Sequence, residues 1–266
     1  MTRSTKRLRL TQACALMLLT GAFPILADGD VCTGYGPQTP RDIDQSAGEN
    51  KRVFSLAPPA NELNLCNMHF HKNAEHRAHD FSIASADSKY GGFKCGIGES
   101  LSKAELKTPK SEVCKGVKPG DTVEVHWVFS SCDAKPGEGL GGCFAESCPN
   151  PALRVESQVF TVVNDRSALD FSTIDFGGAS PEGYQQPRSL PHNTGRPVEF
   201  LGSTTGPKYT DKSCSQFQVS WSVRPQCAKL DINSLARWCA NNAFEEDHAH
   251  GVRKLVTEPS LLSEIK

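Results

Sequence analysis

Apolar and polar residues alternate along several stretches of the chain, and this alternation predicts β-strands. Residues 122–129, 153–163 and 216–223 each follow the two-residue period of a strand. Between them, residues 133–142 and 164–197 are rich in Gly, Pro, Ser and Asp, a composition typical of surface connections. The pattern therefore predicts strands joined by long loops.

One segment, residues 231–240, has the spacing of a helix instead. Three of its residues fall at positions i, i+3 and i+4 on one face: Leu235, Trp238 and Cys239. Asp231 or Asn233 is placed to cap the N-terminus of this helix.

The first 27 residues have the pattern of a secretory signal peptide. A basic start is followed by an apolar run, residues 13–19, that is too short to span a bilayer. Ile25 and Ala27 suit the −3 and −1 positions of a cleavage site, which predicts cleavage before Asp28. We therefore predict a signal peptide over residues 1–27, one domain over residues 28–266, and no membrane association after cleavage.

Composition narrows the fold class and the partners. The 266 residues include 22 Gly and 17 Pro, and only 8% are aromatic, which favours a loop-rich single domain that is mainly β or α+β. The formal net charge of −1 gives no basic excess for binding phosphate backbones, so a nucleic-acid partner is excluded.

Eleven cysteines are present, of which Cys14 lies in the predicted signal peptide. The other ten are an even number and contain no C-x-x-C pair, so they indicate disulfides and an extracellular or periplasmic location rather than a zinc or redox motif. The spacing leaves the pairing open, although Cys95 with Cys114 and Cys227 with Cys239 would close short local loops.

Two histidines, His69 and His71, stand two residues apart in an apolar stretch. Residues i and i+2 of a strand project from the same face, so the two imidazoles would lie side by side. Met68 and Phe70 would then face the opposite way. This arrangement is one way in which a sheet presents metal ligands.

A third histidine, His126, lies in the middle of the strand predicted over residues 122–129. If that strand lies beside the first, three histidines converge and the fourth tetrahedral position of a metal ion stays open. Glu124 and Val128 share a face with His126. Glu124 is therefore predicted to accept the free ring N–H of a ligand and to fix its orientation.

The H-x-H pair followed by E-x-H on a later strand resembles carbonic anhydrases of the α type. The run from Cys66 to His76, in a cysteine-rich chain with a signal peptide, resembles the δ class. Three further segments resemble α-type motifs in the same order along the chain: residues 38–43, 202–207 and 219–221. Two departures stand out, since only three residues separate His71 from Glu75, and Gly206 replaces the first proline of the motif at residues 202–207.

The resemblance implies a fold and an activity for the domain over residues 28–266. The fold would be a large central, mostly antiparallel sheet with peripheral helices and disulfide-stapled loops. Zn²⁺ held by His69, His71 and His126 would make the domain a catalyst of reversible CO₂ hydration, in which zinc-bound hydroxide attacks CO₂ to give bicarbonate and a proton. Its partner would be this small-molecule substrate, while the oligomeric state is left open.

The same resemblance implies roles for residues around the metal. Thr204 would accept a hydrogen bond from the hydroxide and donate one to Glu75, and Thr205 would line the substrate side. Val128 and Trp221 would form part of an apolar pocket for CO₂.

Other histidines are open to several interpretations. His76, His79 and His192 are candidates for carrying away the proton, because imidazole titrates near neutral pH. His248 and His250 form a second H-x-H pair, but the acidic residues before it and the glycine after it favour a polar surface loop.

Two alternative functions remain at this stage. His69, His71 and Glu75 also resemble the first metal motif of cupins, in which the glutamate is a direct ligand, with His126 as a further ligand. A carbonic anhydrase fold can also serve as a non-catalytic binding module, although such modules usually lack one or more of the ligand histidines.

Overall fold

The computed structural model describes residues 32, 35–45, 48–87, 89–110, 114–206, 209–210, 212–252 and 256–265. The signal peptide expected over residues 1–27 lies outside this part of the chain. No helix among the described residues has both the length and the apolar character needed to cross a bilayer.

The described chain is built mainly of strands. The strands are β1 (Asn64–Lys72), β2 (Ile83–Ala84), β3 (Phe93–Lys94), β4 (Thr122–Ser130), β5 (Leu153–Val163), β6 (Phe176–Ala179), β7 (Gln185–Pro187), β8 (Val198–Ser203), β9 (Gln218–Val223) and β10 (Ala228–Asp231). The helices are α1 (Ile232–Ala240) and four short 3₁₀ turns, Ala60–Glu62, Gly96–Ser100, Leu140–Cys143 and Phe171–Thr173.

Six of these strands form one central sheet. Its order is β1-β4-β5-β9-β8, and β10 also pairs with β5. The pairings β1 with β4, β4 with β5, and β8 with β9 are antiparallel, whereas β5 pairs in parallel with both β9 and β10. The expected fold class, a mainly β domain on a large and mostly antiparallel sheet with peripheral helices, is confirmed.

The two faces of the sheet carry different sets of residues. Met68 and Phe70 of β1 and Trp127 of β4 are fully buried in a core on one face, where helix α1 covers the sheet. Val155 of β5 and Trp221 of β9 are buried in a second core on the other face, which also carries the histidines. The alternation of side chains along each strand thus separates packing residues from site residues.

Helix α1 begins where the sequence predicts. The carboxylate of Asp231 accepts hydrogen bonds from the backbone N–H groups of Asn233 and Ser234, which have no partner within the helix. Leu235 and Trp238 are buried against the sheet. The cap and the apolar face therefore fix both the start and the orientation of the helix.

Five disulfides join the ten cysteines that follow the predicted signal peptide. The pairs are Cys32–Cys214, Cys66–Cys143, Cys95–Cys227, Cys114–Cys239 and Cys132–Cys148. The local pairs expected from the spacing, Cys95 with Cys114 and Cys227 with Cys239, are wrong. Cys114 instead lies against the helix that carries Cys239, and its Sγ is 3.4 Å from the carbonyl oxygen of Leu235.

Candidate metal centre

Strands β1 and β4 bring three histidines together at the middle of the sheet. In the antiparallel register His69 lies opposite His126, and His71 lies opposite Glu124. The three imidazole rings have centroids 5.0–5.2 Å apart, and one ring nitrogen from each lies within 4.8 Å of the other two. His69, His71 and His126 are therefore a group that can hold a metal ion.

A second contact orients each of these rings. Nδ1 of His69 lies 2.6 Å from Oδ1 of Asn67, and Nδ1 of His71 lies 3.0 Å from the carbonyl oxygen of Gly251. Nε2 of His126 lies 3.1 Å from Oε1 of Glu124. The opposite nitrogen of His71, Nε2, is left to face a metal ion. Contacts of this kind fix the tautomer of a ligand.

The chemistry of the ring nitrogens fits a metal site. Nε2 of His71 is buried and has no hydrogen-bond partner among the described residues, which is costly unless another group binds it. Burial lowers the pKa of His71 to about 4, so its ring is neutral at pH 7 and offers a lone pair. A group of three imidazoles suits zinc and leaves one tetrahedral position open.

Glu124 is completely buried beside the three histidines and makes hydrogen bonds with several neighbouring residues. Its carboxylate accepts hydrogen bonds from the hydroxyl of Ser157 at 2.5 Å, from the backbone N–H of Glu75 and from the backbone N–H of His76 at 3.2 Å. It also lies 2.8 Å from Nδ1 of His76. Burial alone would raise its pKa, but the neighbouring His76 and His126 outweigh burial and hold the pKa well below its ordinary value. Glu124 therefore remains a carboxylate beside His126.

The buried carboxylate also affects its histidine neighbours. Burial by itself would lower the pKa of His126, but the charge of Glu124 and its hydrogen bond raise the pKa above its ordinary value. His76 is fully buried against Glu124, so this candidate for carrying a proton to solvent does not reach the surface.

Thr205, and not Thr204, contacts Glu75. The hydroxyl of Thr205 donates to Oε2 of Glu75 at 3.3 Å, whereas the hydroxyl of Thr204 lies 2.6 Å from that of Ser215. The expectation that Thr204 donates to Glu75 is therefore wrong. A sequence motif does not specify which of two consecutive side chains reaches Glu75.

A pocket of about 120 Å³ opens above the three histidines. One wall is apolar and includes both Val128 and Trp221. The other apolar residues of this wall are Leu140, Leu153, Val155 and Val219. Both threonines, Thr204 and Thr205, also line the pocket, so the histidine group has an apolar side and a polar side.

Sequence reasoning missed His250 and Glu246 at this pocket. Both residues line it, Nε2 of His250 lies 2.7 Å from Oε2 of Glu246, and the ring centroid of His250 is 5.7 Å from that of His69. An isolated bridge to His71 on β1 brings His250 there, and the local sequence gives no signal of such pairing. The expected surface position holds for His248, whose side chain is 53% exposed.

Asn67 was also missed, although its position carries a signal. It stands two residues before His69 on β1, and the strand period therefore places it on the same face as both histidines of the H-x-H pair. Gly251 gave no comparable signal, because its contact with His71 is made by a backbone carbonyl.

The fold and the site together define a mainly β protein with three histidines that can hold a metal ion at the base of a small pocket. Residues 60–234 match the family model of the delta carbonic anhydrases, and the chain belongs to that family. This membership displaces the cupin alternative, and Glu75 is in neither of the groups of metal-binding side chains found among the described residues.

Solved structures of α-carbonic anhydrases are also similar to this chain. One is a Thermovibrio ammonificans enzyme in complex with the inhibitor sulfanilamide, at 16% identity over 83% of this chain and 87% of that chain, with a TM-score of 0.25. Another is the Photobacterium profundum enzyme, at 16% identity over 86% of this chain and 94% of that chain, with a TM-score of 0.27. The family assignment rests on the family match alone.

Proposed function

We propose that this protein catalyses the reversible hydration of CO₂ to bicarbonate and a proton, with Zn²⁺ held by His69, His71 and His126. The observation that carries the proposal is the convergence of these three rings, each oriented by its own second contact, at the base of a partly apolar pocket. Family membership gives the same reaction class.

Zn²⁺ bound by three neutral imidazoles is a Lewis acid that supplies hydroxide near neutral pH. The protein residues prepare the site for that chemistry. Asn67 and the carbonyl of Gly251 hold the rings of His69 and His71, and Glu124 holds the ring of His126. Because all three ligand positions are fixed in the folded sheet, little reorganisation is needed when the ion binds.

Thr205 and Glu75 would orient the nucleophile. Glu75 accepts a hydrogen bond from the hydroxyl of Thr205, so the oxygen of Thr205 is left to accept a hydrogen bond from hydroxide and not to donate one. A lone pair of the hydroxide would then point toward the apolar wall. Positioning of this kind contributes to catalysis because it removes orientational freedom from the reactants.

The apolar wall would hold CO₂. Val128 and Trp221 offer no charge and no competing metal ligand, so an uncharged, non-polar molecule can lie there beside the nucleophile. Zn²⁺ would supply hydroxide beside this wall, and its combination with CO₂, with one new C–O bond and one C=O double bond reduced to a single bond, would give bicarbonate. Each turnover also releases one proton from the incoming water.

We further propose that residues 1–27 direct export and that residues 28–266 are the mature enzyme. The five disulfides support this proposal, because such bonds persist in oxidising compartments. The enzyme would therefore act on CO₂ or bicarbonate outside the cytoplasm.

The direct test is CO₂ hydration by stopped flow, with zinc content measured on the same preparation. We expect one zinc per chain, and activity that rises with pH around 7 as hydroxide forms. His126→Ala should lose both zinc and activity, whereas His248→Ala, which changes an exposed histidine, should keep both. A protein that holds one zinc per chain and hydrates no CO₂ would instead be a binding module.

A further inference from the structure

A second cavity lies on the face of the sheet opposite the histidines. It has a volume of about 550 Å³ and is lined by strands β5, β8 and β9, by β7 and by the connection from β7 to β8. Its residues include three arginines, Arg154, Arg196 and Arg224. The residues of β5 that reach it alternate with Val155 and Ser157, which point toward the metal centre.

Two of these arginines are buried around a single carboxylate. Arg154 is 9% exposed, Arg224 is 6% exposed, and Glu156 between them is 4% exposed. Nε of Arg154 donates to one oxygen of Glu156 at 2.7 Å, and Nη1 of Arg224 donates to the other oxygen at 3.1 Å. The two guanidinium groups therefore share one carboxylate.

At this cavity, the two buried arginines carry more positive charge than the one buried glutamate can balance. Arg154 has a second anionic partner in Glu199, whose side chain is 48% exposed, whereas Arg224 shares Glu156 and otherwise donates only to backbone carbonyls. Burial lowers the pKa of Arg224. Glu156 raises this pKa and the charge of Arg154 lowers it, and the net effect is a lowered pKa. Buried charge is costly without an opposite charge beside it, so the cavity favours an incoming anion.

Hydrogen-bond donors remain to receive that anion. Nη1 of Arg154 and Nη2 of Arg224 donate to none of the described residues, and the exposed Arg196 makes no hydrogen bond or ion pair with them. The guanidinium of Arg196, with one remaining Nη group each of Arg154 and Arg224, can donate charge-assisted hydrogen bonds to an oxyanion. A carboxylate is one such oxyanion.

The rest of the cavity is suited to a compact apolar body. Three prolines and a leucine line it beside the arginines: Pro59, Pro187, Pro197 and Leu190. Small-molecule sites commonly combine a cavity of this size with apolar walls and a few convergent polar groups. We propose that this cavity binds a small organic acid through its carboxylate, at a site independent of the metal centre.

Benzoate is a suitable probe, since it joins a carboxylate to a compact apolar ring. Its binding would be measured by calorimetry at constant ionic strength on the zinc-loaded protein with sulfanilamide in excess, so that the metal centre is occupied. We expect saturable binding of benzoate and none of benzamide, which has the same shape without the charge.

Three variants locate the binding. Arg196→Gln at the exposed rim should weaken benzoate binding about tenfold, because a charge-assisted hydrogen bond is lost. Arg166→Gln, a change at an exposed arginine outside this cavity, should bind like the wild type. Glu199→Gln removes a competing carboxylate from Arg154 and should strengthen binding.

Two results would overturn the proposal. One is the absence of saturable benzoate binding up to about 10 mM, beyond the millimolar range of weak specific binding. The other is equal affinity in the wild type and in Arg196→Gln. Either result would leave the arginine cluster as a structural link between β5 and the segment after β9, and neither bears on CO₂ hydration.

Discussion

At the residue scale, the proposed mechanism gives the hydroxyl of Thr205 the role of orienting the nucleophile. It is the hydroxyl that donates to Glu75, while Thr204 bonds to Ser215. Thr205→Ala should therefore reduce the hydration rate about 100-fold, as the loss of one oriented hydrogen-bonding group commonly does. Stopped-flow kinetics on zinc-loaded protein measure the effect.

Two controls accompany this prediction. Thr205→Ser keeps the hydroxyl and should retain most of the rate, and Thr204→Ala should change the rate far less than Thr205→Ala. Equal losses in the two alanine variants would show that the threonines act only through the local backbone.

Asn67 provides a second prediction at this scale. Its Oδ1 lies 2.6 Å from Nδ1 of His69, so Asn67→Leu should leave the ring without its orienting partner. Loss of such a partner lowers metal affinity by about 10- to 100-fold. Zinc retention against a chelator checks this, and Asn67→Asp, which keeps an acceptor oxygen, should retain more zinc than Asn67→Leu.

The sequence predicted the convergence of the three histidines better than the contacts of their neighbours, for a physical reason. The strand period is a local rule, so it places His69, His71 and Asn67 on one face without knowledge of the fold. The contacts of Thr204 and Thr205 depend on the direction of an irregular segment after β8. That direction is set by packing against Ser215 and Glu75, distant in sequence, which no local pattern reports.

At the element scale, the sequence predicted the long strands but not which strands pair with them in the sheet. The alternation of β4 and β5 appears directly in the sequence, and β5 has the predicted bounds. The pairing of β5 with β9 along one half and with β10 along the other depends on connections that no local pattern fixes. His250 was missed for the same reason, because it reaches β1 from a segment far away in the chain.

Gly202 on β8 allows a close approach that the pocket needs. A Cβ atom there would lie 2.5 Å from Oγ1 of Thr39 and 2.9 Å from Cδ1 of Trp221. Gly202→Ala should therefore displace the pocket wall and lower the free energy of unfolding by about 1–3 kcal/mol, the usual cost of overpacking. Urea unfolding and hydration kinetics together measure this effect.

The matched control is Gly98→Ala, where the nearest atom to an added Cβ would be 3.9 Å away. This variant should unfold like the wild type. If Gly202→Ala were equally harmless, β8 would have to shift without cost, and the packing described around Trp221 would be incorrect.

The contact between Glu105 and Lys229 joins a loop to strand β10 and should affect acid stability. The hydrogen bond from Lys229, with others from Ser102, lowers the pKa of Glu105 from 4.5 to about 2. A lowered folded-state pKa stabilises the fold above the unfolded value, and this contribution is lost as the pH falls from 4.5 toward 2.

Glu105→Gln should accordingly lose less stability than the wild type over that pH range. The measurement is the urea midpoint at a series of pH values and low salt, because salt screens exposed pairs. Glu138→Gln, at an exposed glutamate, is the control and should follow the wild type. Parallel curves for Glu105→Gln and the wild type would contradict the role of this contact.

At the scale of the whole molecule, the disulfides join cysteines whose pairing could not be predicted from their spacing in the sequence. Cys95–Cys227 and Cys114–Cys239 join residues separated by 132 and 125 positions. Their pairing follows from where β10 and helix α1 pack, and a count of residues between cysteines carries no information about that. Peptide mapping of the non-reduced protein should recover these two pairs and no Cys95–Cys114 peptide.

The long-range bridges should also contribute more stability than the local one. Cys132–Cys148 closes a separation of only 16 residues, and a cross-link restricts the unfolded chain more when it closes a longer loop. Replacing both cysteines by serine should cost about 5 kcal/mol for Cys114–Cys239 and about 3 kcal/mol for Cys132–Cys148. Urea unfolding of the two double variants at pH 7 measures the difference, and a larger loss for the local pair would mean that strain in the native state, rather than the unfolded chain, decides what these bridges contribute.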